Sequence, residues 1–265
     1  PHYGPGIGRG VLNNGLLFTS KGKLFFGEYF NNPERIPVCI YESDDLGKTW
    51  SVAYTFPGGE IRHIHVIQED PFTGNIWYCS GDLDPECRIG WTGDDFNSLH
   101  TIGSGSQQWR TCHLVFSPEA VYWGTDTGSE AYSGIYRWDR SRQTTTKICT
   151  VDGAVFFGTR LRNGMIVMTT DREGFPNEKN DKTMLIRFME HGPVKITPCG
   201  SWNRKKGFGA SFAQLRMPRG TESHYLALTV LNQTGITEGR LLMIDEEELA
   251  AGYEKETASL AGKTF

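Results

Sequence analysis

Short runs of apolar residues, separated by clusters of Gly, Asn, Asp, Ser and Pro, cover most of the chain. Within many runs apolar and polar side chains alternate, which is typical of β-strands with one buried face. The first group contains LLFTS, KLFFGEYF, PVCIYESDD and WSVAYTF, joined by tight turns. The pattern therefore predicts an antiparallel unit of four short strands.

This unit recurs along the chain, which indicates a repeat protein. The second unit runs from HIHVIQ to SLHTIG, the third from CHLVFS to TTKICTV and the fourth from AVFFGTRL to VKITPCG. A fifth unit has only three runs, SFAQLRM, YLALTVLN and GRLLMID. Helix formers with acidic residues at their start follow, and they predict a short helix over 246–258. We expect GIGRGVLN, near the N-terminus, to supply the missing strand.

The turn between the last two strands of the first unit has a distinctive sequence, SDDLGKTW, at residues 43–50. Asp45 can accept hydrogen bonds from nearby backbone N–H groups, and Gly47 can take a positive φ. At every position the turn resembles S-x-D-x-G-x-T-W, the Asp-box (BNR repeat) of sialidase-like β-propellers. Residues 92–99 keep the aspartate but not the glycine or the tryptophan. In that family the box is a structural turn away from the active site, so the resemblance implies a fold more than a function.

Repeat and resemblance together predict an all-β fold, a five-bladed β-propeller with four-stranded antiparallel blades. Six blades are the alternative if an N-terminal blade precedes Pro1. No linker or low-complexity tract interrupts the units, so we expect one β-propeller domain over residues 1–265.

Charge and composition narrow the partners. A net charge of −4 and a pI near 6.0 argue against a nucleic acid held by bulk charge. No apolar run is long enough to cross a membrane. The six cysteines have no C-x-x-C spacing, and buried free thiols are expected. We expect a monomer; its compartment stays open, with a secreted or periplasmic location favoured.

The candidate functional residues are predicted to lie around one opening of the propeller's central channel, which we call the mouth. Arg-x-x-His recurs at the start of the innermost strand in units two and three, as Arg62 to His65 and Arg110 to His113. The second strands of these units end at Asp82 and Asp126. The same place in the other units holds Glu28, Asp171 and Asn232.

These residue types suit the binding and cleavage of sugars. Arginine binds carboxylate or sulfate through two parallel hydrogen bonds, histidine titrates near neutral pH, and carboxylates act as acid, base or nucleophile. Catalytic roles are therefore predicted for Asp82, Asp126, Glu28, Asp171 and His63. Substrate binding is predicted for the remaining cationic residues and for aromatic residues of the same loops: Arg62, Arg110, His65, His113, Trp109, Trp123 and Tyr29. An architectural network, in which aspartates only neutralise the arginines, is the alternative.

Neither a cofactor nor a metal is predicted. An ion between His65 and His113, with Gln214 or a carboxylate as a third ligand, is left open.

The resemblance and the mouth together imply a carbohydrate-active enzyme that cleaves glycosidic bonds in a polysaccharide or oligosaccharide. A glycoside hydrolase is the first hypothesis. The second is a polysaccharide lyase, in which arginine neutralises a uronate and His63, His65 or His113 removes its C5 proton. A lectin-like propeller without catalysis is the third. Arg-x-x-His occurs in two of five units, and this asymmetry favours one composite site, hence an enzyme.

Overall fold

The structure is a computed structural model that describes residues 10–12, 14–190, 197–203, 212–235, 237 and 239–261. Its strands form five antiparallel sheets, four with four strands and one with three, and strands consecutive in sequence pair within each sheet. The predicted all-β class with four-stranded antiparallel blades is thereby confirmed. The chain divides into two compact units, Pro1–Leu114 and Val115–Phe265. From here on, first unit and second unit mean these two parts of the chain, and the repeats are called blades. A single domain over residues 1–265 stays a prediction.

The first unit contains two sheets. The first sheet consists of β1 (Leu16–Phe18), β2 (Leu24–Gly27), β3 (Val38–Ser43) and β4 (Ser51–Phe56). The second consists of β5 (Ile64–Glu69), β6 (Ile76–Ser80), β7 (Arg88–Thr92) and β8 (His100–Ser104). Two short 3-10 helices, Asp84–Glu86 and Gln107–Trp109, flank the second sheet.

The two sheets meet where β5 packs against β1 and β2. A Cβ on Gly27 would lie 2.4 Å from Cγ2 of Ile64, so only glycine allows this approach. Next to it, the Ile64 N–H donates to the Glu28 carbonyl oxygen over 2.9 Å. Ile64 belongs to a core with Phe25, Ile40 and other apolar side chains of both sheets. Burial of this shared core holds β5 against β1 and β2.

The turn at residues 43–50 is held by side-chain hydrogen bonds. The backbone N–H and hydroxyl of Thr49 donate to the two Asp45 carboxylate oxygens over 2.8 and 2.7 Å, and Ser43 Oγ donates over 2.8 Å. These bonds, those from Thr49 first, lower the pKa of Asp45 to about 2. Trp50 Nε1 donates to the Gly47 carbonyl oxygen over 3.0 Å. Each feature of the sequence pattern therefore has a physical role in the turn.

The second, degenerate turn keeps the same bonds with different residues. Asp94 accepts from the Ser98 N–H over 2.9 Å, from Ser98 Oγ over 2.7 Å and from Thr92 Oγ1 over 2.7 Å. Phe96 replaces the glycine and still adopts a left-handed φ of 68°. Its ring is buried and lies 5.5 Å from that of Phe25. Apolar burial thus offsets the cost of an unfavourable backbone conformation.

The second unit contains three sheets and the one α-helix in the described part of the chain. They are β9 (Val115–Phe116), β10 (Ala120–Gly124), β11 (Ile135–Asp139) and β12 (Thr144–Cys149); β13 (Val155–Arg160), β14 (Met165–Thr170), β15 (Lys182–Met189) and β16 (Thr197–Asn203); and β17 (Gln214–Arg216), β18 (Tyr225–Leu231) and β19 (Leu241–Asp245). The helix predicted over 246–258 runs from Glu246 to Ala261 (α1). Among the described residues, no helix has both the length and the apolar character needed to span a membrane.

Two other expectations concern the termini and the thiols. Gly10, from the segment expected to complete the last sheet, pairs with Tyr29 of the first unit, while residues 6–9 and 13 of that segment lie outside the described ones. Cys39, Cys79, Cys87, Cys112 and Cys149 are free thiols. The Cys199 side chain lies outside the described residues.

Candidate functional site

A glycine turn after β6 positions Asp82, the centre of the candidate site. Gly81 has a φ of 101°, and a Cβ there would lie 2.4 Å from the Glu86 carbonyl carbon. Its N–H donates to the His63 carbonyl oxygen over 3.3 Å. The tight turn therefore directs Asp82 back over the start of β5, where the predicted Arg-x-x-His segment lies.

Two arginines meet on the Asp82 carboxylate. Arg62 Nη1 donates to Oδ2 over 2.7 Å, and Arg110 Nη2 lies 3.2 Å from Oδ1. Arg62 Nη2 also donates to Asn31 Oδ1 over 2.5 Å. The side chains of Arg62 and Asp82 are 32% and 15% exposed, so the cluster reaches solvent through its arginines. Two guanidinium groups and one carboxylate leave one net positive charge.

Two buried imidazoles lie beneath this carboxylate. Nε2 of His63 and Nε2 of His65 are 2.9 Å apart, and they lie 3.4 and 3.5 Å from the nearest Asp82 oxygens. His63 Nδ1 lies 3.0 Å from the Phe30 carbonyl oxygen, which only accepts, so Nδ1 carries the hydrogen. The Tyr29 ring packs on His63 with centroids 4.1 Å apart. We call His63, His65, Asp82, Arg62 and Arg110 the Asp82 cluster.

A β-bulge contributes to this arrangement. The β5 register shifts between Ile64, which faces Ser80, and Val66, which faces Cys79, so His65 is the additional residue. Bulges redirect side chains and are frequent near functional sites. The His65 side chain is 2% exposed, and its Nδ1 has no hydrogen-bond partner among the described residues.

The cluster keeps Asp82 ionised. Burial alone would raise the pKa of its carboxyl, but the neighbouring His63 and His65 imidazoles and the charge of Arg110 hold that pKa well below its usual range. Asp82 is therefore a carboxylate at neutral pH, which suits a base, a nucleophile or a charge anchor and not a proton donor.

The other predicted residues of the first unit have different surroundings. Glu28 is fully buried and accepts from the Cys39 N–H over 2.8 Å and from the Tyr41 hydroxyl over 3.3 Å, so it links β2 to β3. His113 Nδ1 lies 3.3 Å from Asn14 Nδ2, which donates to it. Trp109 precedes Arg110, and its indole packs directly on Gly103. None of these contacts includes Asp82.

The second unit holds the remaining candidates. Trp123 is 0% exposed and stacks on Tyr136 with centroids 5.7 Å apart, which leaves no free indole face for a sugar. Asp126 is buried, and Asp171 has no exposed surface. Gln214 Nε2, from one of the side chains considered as a third metal ligand, donates to Asp171 Oδ2 over 3.3 Å.

Burial raises the pKa of the Asp171 carboxyl well above its usual value, and the charges of Glu173 and Asp126 add to the effect. Arg216 and Arg172 act in the opposite direction and do not cancel it. Asp171 thus has the protonation state of a general acid, although no surface of its side chain is open to substrate.

Asp171→Asn should stabilise the protein increasingly as the pH rises. Between the ordinary pKa and the raised one, the folded chain keeps a proton that the unfolded chain has lost, so wild-type stability falls with pH. The slope of this loss is at most about 1.4 kcal/mol per pH unit. An asparagine has no proton to lose and lacks this slope. Urea unfolding of both proteins across a pH series measures the difference.

The exposed residue Asp44 supplies the control, since Asp44→Asn should give a difference that changes little with pH. If the free energies of unfolding of the wild type and of Asp171→Asn differed by the same amount at every pH, Asp171 would be ionised in the folded chain.

Three groups that position the cluster were absent from the sequence prediction. They are Asn31, which accepts from Arg62, the Phe30 carbonyl oxygen, which fixes His63, and Gln107, whose Nε2 donates to the Asp82 carbonyl oxygen over 2.9 Å. A sequence signal existed for Asn31 alone, because polar residues directly after a predicted strand mark a loop beside the site.

No family model matches the chain, and no curated protein does. Solved structures do match. A nidogen/laminin complex has a TM-score of 0.54 at 10% identity, covering 87% of this chain and 74% of that one. An α-L-arabinofuranosidase from Podospora anserina in complex with cellotriose has a TM-score of 0.51 at 9% identity, covering 92% of each chain. A putative TolB from Agrobacterium tumefaciens has a TM-score of 0.50 at 14% identity, covering 72% of this chain and 66% of that one. These likenesses show a β-propeller fold.

Proposed function

We propose that this protein is a carbohydrate-active enzyme that cleaves glycosidic bonds in an acidic polysaccharide, with the Asp82 cluster as its substrate site. The observation that carries the proposal is the meeting of Arg62 and Arg110 on one carboxylate, which leaves a net positive charge partly open to solvent. A sugar carboxylate or sulfate neutralises that charge and offers oxygen acceptors to both guanidinium groups. The resemblance of residues 43–50 to the sialidase-like Asp-box supports the propeller fold that carries this site.

Hydrolysis is the reaction we propose first. The likeness to an arabinofuranosidase supports it, as does an Asp82 carboxylate held ionised as a base or nucleophile. In hydrolysis, water adds across the glycosidic bond, and each cut creates one reducing end without a new double bond. The leaving oxygen needs a proton, which must come from an acid other than the ionised Asp82.

β-Elimination is the second candidate, and one observation favours it. His63 and His65 lie beside two arginines, so a base and a carboxylate clamp occur in one cluster. A uronate bound by the arginines would lose its C5 proton to an imidazole. The C5–H electron pair would then form the C4–C5 double bond as the C4–O bond breaks, and the departing oxygen would take up a proton. No water is consumed.

One assay separates the reactions. We would incubate the protein with a uronate polymer, a sulfated polymer and a neutral arabinan, and follow reducing ends together with the ultraviolet absorbance of unsaturated uronides. We expect reducing ends from an acidic polymer without absorbance. Absorbance would establish elimination instead. Binding without any product would indicate a lectin-like module, and neither binding nor product on any polymer would refute the proposal.

A further inference from the structure

The atoms that face one another beneath Asp82 have unusual spacings. His63 Nε2 lies 3.4 Å from Asp82 Oδ2, and His65 Nε2 lies 3.5 Å from Oδ1. Good N–H···O hydrogen bonds have nitrogen–oxygen distances of about 2.9 to 3.0 Å, so these contacts are long. The two Nε2 atoms, in contrast, are only 2.9 Å apart although both rings are buried. A hydrogen-bonded network alone explains this combination poorly.

These separations match those between ligands of one metal ion. An ion bound at about 2.1 Å keeps two ligand atoms about 3.0 Å apart at a right angle and about 3.4 Å apart at the tetrahedral angle. The Nε2–Nε2 distance of 2.9 Å is close to the first value, and the distances from His63 Nε2 to Asp82 Oδ2 and from His65 Nε2 to Oδ1, 3.4 and 3.5 Å, are close to the second, so both carboxylate oxygens face the same space as the two nitrogens. One ligand atom from each of His63, His65 and Asp82 lies within 4.8 Å of the other two.

The surroundings of His63 fit metal binding as well. Its Nδ1–H donates to the Phe30 carbonyl oxygen, so the lone pair of the neutral ring is on Nε2 and points towards His65 and Asp82. A backbone carbonyl that accepts from the other ring nitrogen is the usual orienting partner of a metal-bound histidine.

We propose that His63, His65 and Asp82 bind one divalent transition-metal ion. Two imidazole nitrogens with one carboxylate suit ions from Mn²⁺ to Zn²⁺, whereas Mg²⁺ and Ca²⁺ prefer oxygen ligands only. The inference rests on this geometry and does not require the proposed function.

The arginines modify this site without blocking it. A carboxylate has about four acceptor positions on its two oxygens, and Arg62 and Arg110 occupy one on each. Their positive charges repel a cation, so affinity should be weaker than in a closed structural zinc site. An ion here would add positive charge to a cluster in which two arginines face one carboxylate.

The direct test is titration of the tag-free, chelator-stripped protein with Co²⁺ by calorimetry and visible absorption. We expect one Co²⁺ per chain with d–d bands of a nitrogen-containing ligand set, and displacement by Zn²⁺ but not by Mg²⁺. Imidazole ¹⁵N NMR of the wild-type protein with Zn²⁺ should show that two of its seven histidines change. This measurement needs no variant to fold.

Variants then identify the ligands. His63→Gln and Asp82→Asn should each weaken Co²⁺ binding by at least the roughly 10- to 100-fold seen when a mere second-shell partner is removed. His100→Gln is the control, because His100 is an exposed residue of the same unit that stacks on Trp91 with centroids 4.1 Å apart. Two results would overturn the proposal. One is the absence of stoichiometric Co²⁺ binding. The other is that His63→Gln binds Co²⁺ as tightly as the wild-type protein while Zn²⁺ shifts imidazoles other than those of His63 and His65.

Discussion

Asp82→Asn should lower kcat on an acidic polysaccharide by roughly 10²- to 10⁴-fold, the usual loss when a group that transfers or positions a proton is removed. The amide has one acceptor oxygen where the carboxylate has two, and its NH₂ group would face one of the guanidinium groups. Arg62 or Arg110 therefore loses its partner, and His63 and His65 lose the anion above them. KM should not rise, because the variant cluster has a greater net positive charge.

Folding must be measured beside activity. Since a charged partner of a partly buried pair is removed, the free energy of unfolding should fall by about 1–3 kcal/mol, which leaves a folded protein. Asp84→Asn is the matched control, because Asp84 lies two residues along the chain and its carboxylate accepts from Gln107 Nε2 over 2.8 Å. If Asp82→Asn kept full kcat while losing stability, the cluster would be architectural.

The turns show why the fold could be predicted from the sequence. Asp45 stabilises its turn through hydrogen bonds to residues at most four positions away, so the local sequence pattern determines the whole turn. Asp94 makes the same bonds although Phe96 replaces the glycine. The sequence could not reveal that the second turn keeps its shape, because burial of the Phe96 ring against Phe25 is a long-range contact.

The site could be predicted only in part. Alignment of the repeats predicts that Arg62, Arg110 and Asp82 lie at one site, since side chains at equivalent strand positions point in the same direction in each blade. It could not identify the bulge at His65, which depends on the pairing register of β5 with β6. His113 occupies the position equivalent to His65, yet it pairs with Asn14.

Residue type was a weaker guide than position. Glu28 lies at the same place in its blade as Asp82, but its longer side chain folds back onto the Cys39 N–H of the next strand. The sequence predicts that Trp123 stacks on sugars because it lies near the loops of the mouth. Its indole instead fills the core against Tyr136, where burying a large aromatic surface is most favourable.

Replacing both arginines, as Arg62→Met with Arg110→Met, should have the opposite kinetic effect to Asp82→Asn. Each charge-assisted hydrogen bond to an anionic sugar group is worth about 1.5–3 kcal/mol, or roughly 10- to 100-fold in affinity. Without the guanidinium groups the Asp82 carboxylate repels the same group, so KM for the acidic polymer should rise at least 10-fold, by this range, while kcat falls less. Added salt should raise the wild-type KM and leave that of the variant nearly unchanged.

The matched control is Arg88→Met. Arg88 lies on β7 of the same sheet and pairs with Glu60 at 3.4 Å, so its loss removes one positive charge from the unit but none from the cluster. Its KM should stay within about twofold of wild type, as for surface charges without a ligand. If the double variant lost activity equally on acidic and neutral polymers, Arg62 and Arg110 would serve the fold and not the recognition of charge. If only the acidic polymer were affected, the positive charge of the cluster would be the determinant of substrate choice.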